Sequence, residues 1–302
     1  MKSIAKRVFL FLLLNAAVIL TISLILSFFD VRPYLTQAGM NYQSLFIFCL
    51  IWGCTGALIS LAMSRLMAKW MMGVEVIDPD TTQPLERQLL ATVRQLVKRA
   101  GLPRMPEVGI YESEEVNAFA TGPTRSRALV AVSSGLLRTM EWTEIEGVLG
   151  HEISHVANGD MVTMTLLQGV VNAFVMFFAR VLAYAITSFS RQRESDSRPS
   201  FLYSGLVFLF EIVFMILGAI VVATYSRARE YRADEGGARL AGKAAMIQAL
   251  MRLKSVIAVE DPRVQHASFQ ALKISNPKGF VRMFSTHPPL EDRIARLEGR
   301  AQ

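Results

Sequence analysis

Cysteine is scarce: the 302 residues contain two, Cys49 and Cys54, and both stand inside one apolar run. That excludes a disulfide framework and a thiolate metal site, and it suits a reducing compartment. The two are read as small packing residues of an apolar helix. Histidine is nearly as rare, with four in the chain, so a histidine metal site has few residues to draw on. Lysine and arginine outnumber the acids by 32 to 25, yet they never gather into a dense run. No nucleic-acid partner is expected, and the excess fits the anionic inner leaflet of a membrane. Internal repeats and low-complexity segments are missing as well.

Apolar residues fill the space left by these absences. They make up 52% of the chain, too much for a soluble domain of this length. Four windows supply the excess, residues 4–29, 42–63, 161–189 and 201–225, and each reaches the roughly 20 apolar residues of a spanning helix. The first is expected to be a retained anchor, because its run exceeds a signal-peptide core and no small-residue cleavage site closes it. Lys2, Lys6 and Arg7 precede that window and Arg65 and Lys69 follow the second, whereas the loop at 30–41 carries only Asp30 and Arg32. The positive-inside rule places both ends of this hairpin in the cytoplasm. The expected layout is a transmembrane hairpin over 1–64, a cytosolic catalytic part over 65–160, a second hairpin over 161–225 and a cytosolic helical part over 226–302. In the loop of the second hairpin, "RQRESDSRPS", three arginines face two acids, so charge says less there.

Between the hairpins, Leu89, Val93, Leu96 and Val97 form a helical stripe that Gly101 and Pro103 end. Three strand-like runs follow, at 107–111, 117–121 and 128–133, with "GPTRSR" as the turn of a hairpin. Thr143 and Glu146 then predict a capping box at the start of the next helix. Two helices are expected near the C-terminus, at 242–259 and 290–299, with a loop over 260–284.

The helix capped at Thr143 carries the chemistry. His151 and His155 are four residues apart, so their imidazoles share one face and can hold one zinc ion. Glu152 would lie beside the activated water, take its proton and pass it to the leaving amine. A third ligand is needed, and "SRAREYRADEGGARL" offers Glu230 and Asp234, again four apart. Glu230 can bind the ion while Asp234 accepts a hydrogen bond from a ligand imidazole. Both could instead pair with Arg227 and Arg232 on a solvated face, and spacing leaves the two readings open. Glu235 is rotated about 100° from Asp234 and is set aside. His287, stiffened by Pro288 and Pro289, is read either as a stabiliser of the oxyanion or as a cap of the last helix. Asn117 opens a strand that either pairs with an extended substrate or belongs to the core. His266 has no partner motif.

Four stretches, "HEISH", "SRAREYRADEGGA", "NAFATG" and "STHPPLEDRI", together with the four-window layout, make the chain resemble the HtpX-type membrane zinc metalloproteases, of the gluzincin class. The resemblance implies His151, His155 and Glu230 as zinc ligands and Glu152 as catalytic base. It implies an ATP-independent endopeptidase of the bacterial inner membrane that cleaves damaged or misassembled membrane proteins. The expected architecture is a polytopic α-helical membrane protein carrying a cytosolic zincin-like α+β metalloprotease domain. Its partners are polypeptide substrates and the lipid bilayer. A prenyl-protein endopeptidase is the nearest rival, but that family looks to have about seven spans, and four windows here reach spanning length. A client-binding scaffold would have no use for Glu152. His155 and Met161 are six residues apart, about 9 Å of helix, so the metal is expected close to the bilayer surface. Arg180 and Glu211, each the one charged residue of its window, are expected to pair.

Overall fold

A computed structural model describes residues 20–28, 35–36, 39–190, 201–259, 283 and 285–299. The chain divides into two units, Met1–Ser60 with Met164–Val222 and Leu61–Thr163 with Ala223–Gln302.

The first unit is built on apolar helices. Residues 20–28 form α1, the end of the first expected window; the rest of that window, 4–19 and 29, lies outside the described residues. A two-residue ladder, β1 (Leu35–Thr36) with β2 (Gly39–Met40), follows. Among the described residues, α2 (Tyr42–Met71), α6 (Asp160–Ser190) and α7 (Phe201–Ala241) are long and apolar enough to cross a membrane, and they cover the other three windows. Only 6% of the apolar window of α7 is buried, and Phe208, Leu209, Met215 and Leu217 stand exposed. Such a surface has lipid as its natural solvent, and a helix satisfies its own backbone there.

Small residues let these helices approach. A Cβ on Gly53 of α2 would stand 2.6 Å from the carbonyl oxygen of Gly169 on α6, so the two backbones nearly touch. Beside them, free Cys49 is buried with Leu45 and Ala173, and Phe46 meets Phe177 edge-on at 5.6 Å. Cys49 is the packing residue expected, while Cys54 is half-buried. Across α6 and α7, Arg180 Nη1 donates to Glu211 Oε1 at 2.7 Å, so the expected pair is present.

The second unit holds a four-stranded sheet in the order β3-β4-β6-β5. β4 (Glu107–Tyr111) runs parallel to β6 (Leu129–Ser133), while β3 (Glu75–Val76) and β5 (Ala118–Thr121) pair antiparallel on the outside. All five residues of β6 are buried, as an apolar run covered on both faces requires. α3 (Pro84–Arg99) starts on Pro84 and lays the expected stripe of Leu89, Val93, Leu96 and Val97 on the core. There it meets Val108, Val130, Val132 and the inner face of α5 (Trp142–Asn158), namely Ile145, Leu149, Ile153 and Val156. Each such side chain, fully buried, contributes about 1.5–3 kcal/mol. Two elements of this unit lie outside the expectation, as does the β1–β2 ladder: β3, too short to show alternation, and α4 (Ser134–Thr139), capped when Ser133 Oγ accepts from Leu136 N at 3.0 Å.

The expected capping box is corrected. α5 begins at Trp142, so Thr143 already lies inside its first turn. The box is formed by Glu141 and Glu144, whose Oε2 accepts from the Glu141 N–H at 2.9 Å. A carboxylate can cap as well as a hydroxyl, and it gains from the helix dipole. α8 (Lys243–Val259) and α9 (Leu290–Glu298) match the two expected C-terminal helices. Of the expected loop at 260–284, only residue 283 is described.

Candidate metal centre

The centre is assembled where α5 and α7 cross. The crossing is close because glycines line it: a Cβ on Gly236 would stand 1.9 Å from Ser154 Oγ, and one on Gly237 would stand 3.0 Å from His151 N. On α5, His151 and His155 occupy one face; on α7, Glu230 and Asp234 do the same. His155 Nε2 and His151 Nε2 are 3.1 Å apart, and the Glu230 carboxylate lies 3.5 Å from the first histidine's Nε2 and 3.4 Å from the second's. All three residues are buried, Glu230 to 1% exposure. Ligand atoms held 2.0–2.2 Å from a tetrahedral ion stand about 3.4 Å from one another. The three residues therefore fit a divalent ion, in both donor type and spacing.

Each imidazole has a carboxylate at its Nδ1. His151 Nδ1 lies 2.9 Å from Asp234 Oδ1, and His155 Nδ1 lies 2.6 Å from Asp160 Oδ2. A neutral imidazole with its proton on Nδ1 presents a lone pair at Nε2, which is the atom facing the shared point. Asp234 is held in turn by Arg293 of α9, with Nε at 2.7 Å from Oδ2 and Nη2 at 2.5 Å from Oδ1. Arg229 Nη2 reaches Glu230 Oε1 at 3.0 Å.

The electrostatics favour a cation. Burial lowers the pKa of His155, but Asp160 and Glu230 outweigh it and raise the group to about 9. His151 is likewise raised against burial, by Asp234 and Glu230. Burial alone would raise Glu230, yet hydrogen bonds with His151, His155 and His287 hold it well below the usual carboxylate range. Asp234 is lowered against burial by Arg293 and His151. The pocket stabilises positive charge at the imidazoles and negative charge at Glu230.

The alternative of a solvated arginine-paired face for Glu230 and Asp234 does not hold, because each is 1% exposed. Arg227 instead donates to the carbonyls of Met283 and Ser285, and Arg232 reaches the Tyr225 hydroxyl. Glu235 pairs with Arg296 on the surface at 3.0 Å, outside the centre. Glu152 is partly buried, near enough to raise the pKa of both His155 and Arg293. His287 reaches the centre with Nδ1 2.9 Å from Glu230 Oε2 and a half-exposed side chain. It does not cap α9, whose N-cap is Pro289. Asn117 is exposed at the head of the edge strand β5, its N–H donating to Ser133 Oγ at 3.1 Å and its carbonyl accepting from Ser133 N at 2.9 Å. β5 packs on α5 through Ala118 and Ala120, while Asn117 itself is not part of the histidine group. His266 lies outside the described residues.

Asp160, Arg293 and Arg229 escaped sequence reasoning. Asp160 follows a helix-ending glycine and looks like an ordinary acidic helix start. Arg293 sits within the quoted "STHPPLEDRI", but nothing in that short run marks it as buried.

Comparison with known proteins gives the chain's family and its fold likeness. The sequence profile of peptidase family M48 matches residues 84–301. The chain is 50% identical over 297 residues to a protein named Protease HtpX homolog from Methylacidiphilum infernorum, covering 97% of this chain and 98% of that one. A Protease HtpX homolog from Bacillus licheniformis is 51% identical over 302 residues, covering 98% and 99%. Among solved structures, the crystal structure of S. mikatae Ste24p superposes with a TM-score of 0.66 at 18% identity, covering 98% of this chain and 66% of that one. At that identity the likeness is one of fold.

Proposed function

We propose, since this chain belongs to peptidase family M48 and is a membrane metalloprotease, that His151, His155 and Glu230 hold one zinc ion while Glu152 is the base of peptide-bond hydrolysis. The observation that carries the reading is the convergence of two Nε2 atoms and one buried carboxylate at 3.1–3.5 Å from one another. Two imidazoles and a carboxylate are a donor set that suits zinc among the common divalent ions. When bound, the ion would supply Lewis-acid chemistry, acidifying water and polarising the scissile carbonyl.

The chain's own groups do the rest. Glu152, next to His151 on α5 and partly buried, accepts the proton of the attacking water and delivers it to the leaving amine. His287 stands at the exposed rim of the centre and donates a hydrogen bond to the oxyanion. Asp234, held by Arg293, keeps His151 in the ligating tautomer. The edge of β5 that no described strand covers, headed by Asn117, pairs with an extended substrate through the main chain, which favours breadth over sequence preference. That breadth suits damaged or misassembled membrane polypeptides as substrates. The inner membrane of a bacterium is the proposed location, with residues 65–160 and 226–302 in the cytoplasm. Lys2, Lys6 and Arg7 on one flank of the first hairpin and Arg65 and Lys69 on the other support that orientation.

Replacing Glu230 with Ala tests the ligand set. Metal analysis of the purified chain should show bound zinc falling from one per molecule toward none, with a smaller loss for Asp234→Ala. Full occupancy in Glu230→Ala would mean that the carboxylate ligand comes from elsewhere.

A further inference from the structure

We infer that Asp160 is a positioning residue for His155: it accepts the Nδ1–H and so fixes the tautomer and ring direction that turn Nε2 toward His151 and Glu230. The inference rests on the reading of His155 as a metal ligand and adds a residue to it.

An aspartate at the first position of a helix is common and ordinarily faces water, where it interacts with the helix dipole. Asp160 is the first residue of α6, but it is 3% exposed and its Oδ2 stands 2.6 Å from His155 Nδ1. That is a short contact, on the side of the charge-assisted hydrogen bonds between nitrogen and carboxylate. The backbone explains how the residue gets there. Gly159 ends α5 with φ +71°, in the left-handed region, so the chain turns between two helices within one residue. The turn returns the side chain of Asp160 onto the last turn of α5, where His155 is. An L residue at Gly159 would be strained there.

The two imidazoles are thus oriented from different sources. His151 is turned by Asp234 of α7, whereas His155 is turned by a carboxylate five residues further along its own chain segment. Arg232 of α7 also feels the Asp160 charge. Asp160 touches neither Glu230 nor the point the Nε2 atoms share, so its effect on the metal passes through His155.

The test uses the full chain in detergent, with zinc affinity read by competition with a chromophoric chelator and geometry read by the visible absorption of the cobalt(II)-loaded protein. Asp160→Ala should weaken zinc binding by about 10–100-fold and change the cobalt spectrum. Asp160→Asn, whose Oδ1 still accepts from Nδ1–H, should recover most of the affinity and the parent spectrum. A merely structural role would not separate the two variants by spectrum. Parent-like affinity and spectrum in Asp160→Ala would overturn the inference, as would equal losses in Ala and Asn. Should Asp160→Ala fail to accumulate, spectra of zinc-loaded parent labelled with 15N-histidine decide. His155 must carry its proton on Nδ1, and metal bound through Nδ1 overturns the inference. A parent that binds no zinc would instead sink the ligand reading itself, and this one with it.

Discussion

His155 meets three groups at once: Asp160 on one ring nitrogen, and His151 and Glu230 on the other. Its buried partners define its state more than its own chemistry does, and the same holds for His151 between Asp234 and Glu230. Arg180 and Glu211 show the same dependence in the apolar unit. Each is costly alone in a hydrocarbon environment, and their 2.7 Å contact offsets part of that cost. Arg180 also donates to the Met176 carbonyl at 3.0 Å, which pins its head within its own helix. Replacing either residue with Ala should lower the thermal stability of the purified protein. The double replacement should cost less than the sum, with a coupling of about 0.5–3 kcal/mol. Strictly additive losses would show that the two charges are partnered separately.

At the scale of elements, the crossing of α5 and α7 depends on residues with no side chain. Gly236→Ala would place a methyl within 2.8 Å of Ser154 Cβ, and Ser154 is 4% exposed with little room to move. The substitution should cost about 1–3 kcal/mol through overpacking and reduce bound metal, because α7 must move away from the histidines. Gly205→Ala on the same helix meets nothing within 4 Å and serves as the control; it should be neutral or slightly stabilising. Unchanged melting and metal content in Gly236→Ala would remove the crossing from the account. This is also where sequence reading reached its limit. The spacing of His151, Glu152 and His155 was legible because one helix carries all three. Glu230 was not decided by spacing, since arginines flank it, and only burial separates a ligand from a solvated ion pair. The capping box was misplaced because two overlapping patterns, Glu141 with Glu144 and Thr143 with Glu146, compete within one turn. Asp160 and Arg293 become readable only once the chain has turned at Gly159 and α9 has docked.

For the whole molecule, the apolar windows were the most legible feature, since length and composition alone define a helix that lipid will accept. What composition left open is where such a helix ends: α7 continues past the expected boundary at 225 to Ala241 and delivers Glu230 and Asp234 on the same rod. A reporter fused near Ser195, outside the described residues, should behave as periplasmic and one at the C-terminus as cytoplasmic; the same face for both would mean that α6 and α7 do not both cross. The central claim, that this membrane metalloprotease hydrolyses peptide bonds with Glu152 as its base, is tested most directly by Glu152→Gln. Zinc content and cleavage of an unfolded protein substrate would be measured on the same preparation. The account predicts zinc retained at the parent level and turnover reduced by about 100- to 10,000-fold, the usual share of a general base. Retained zinc with turnover near that of the parent would contradict it.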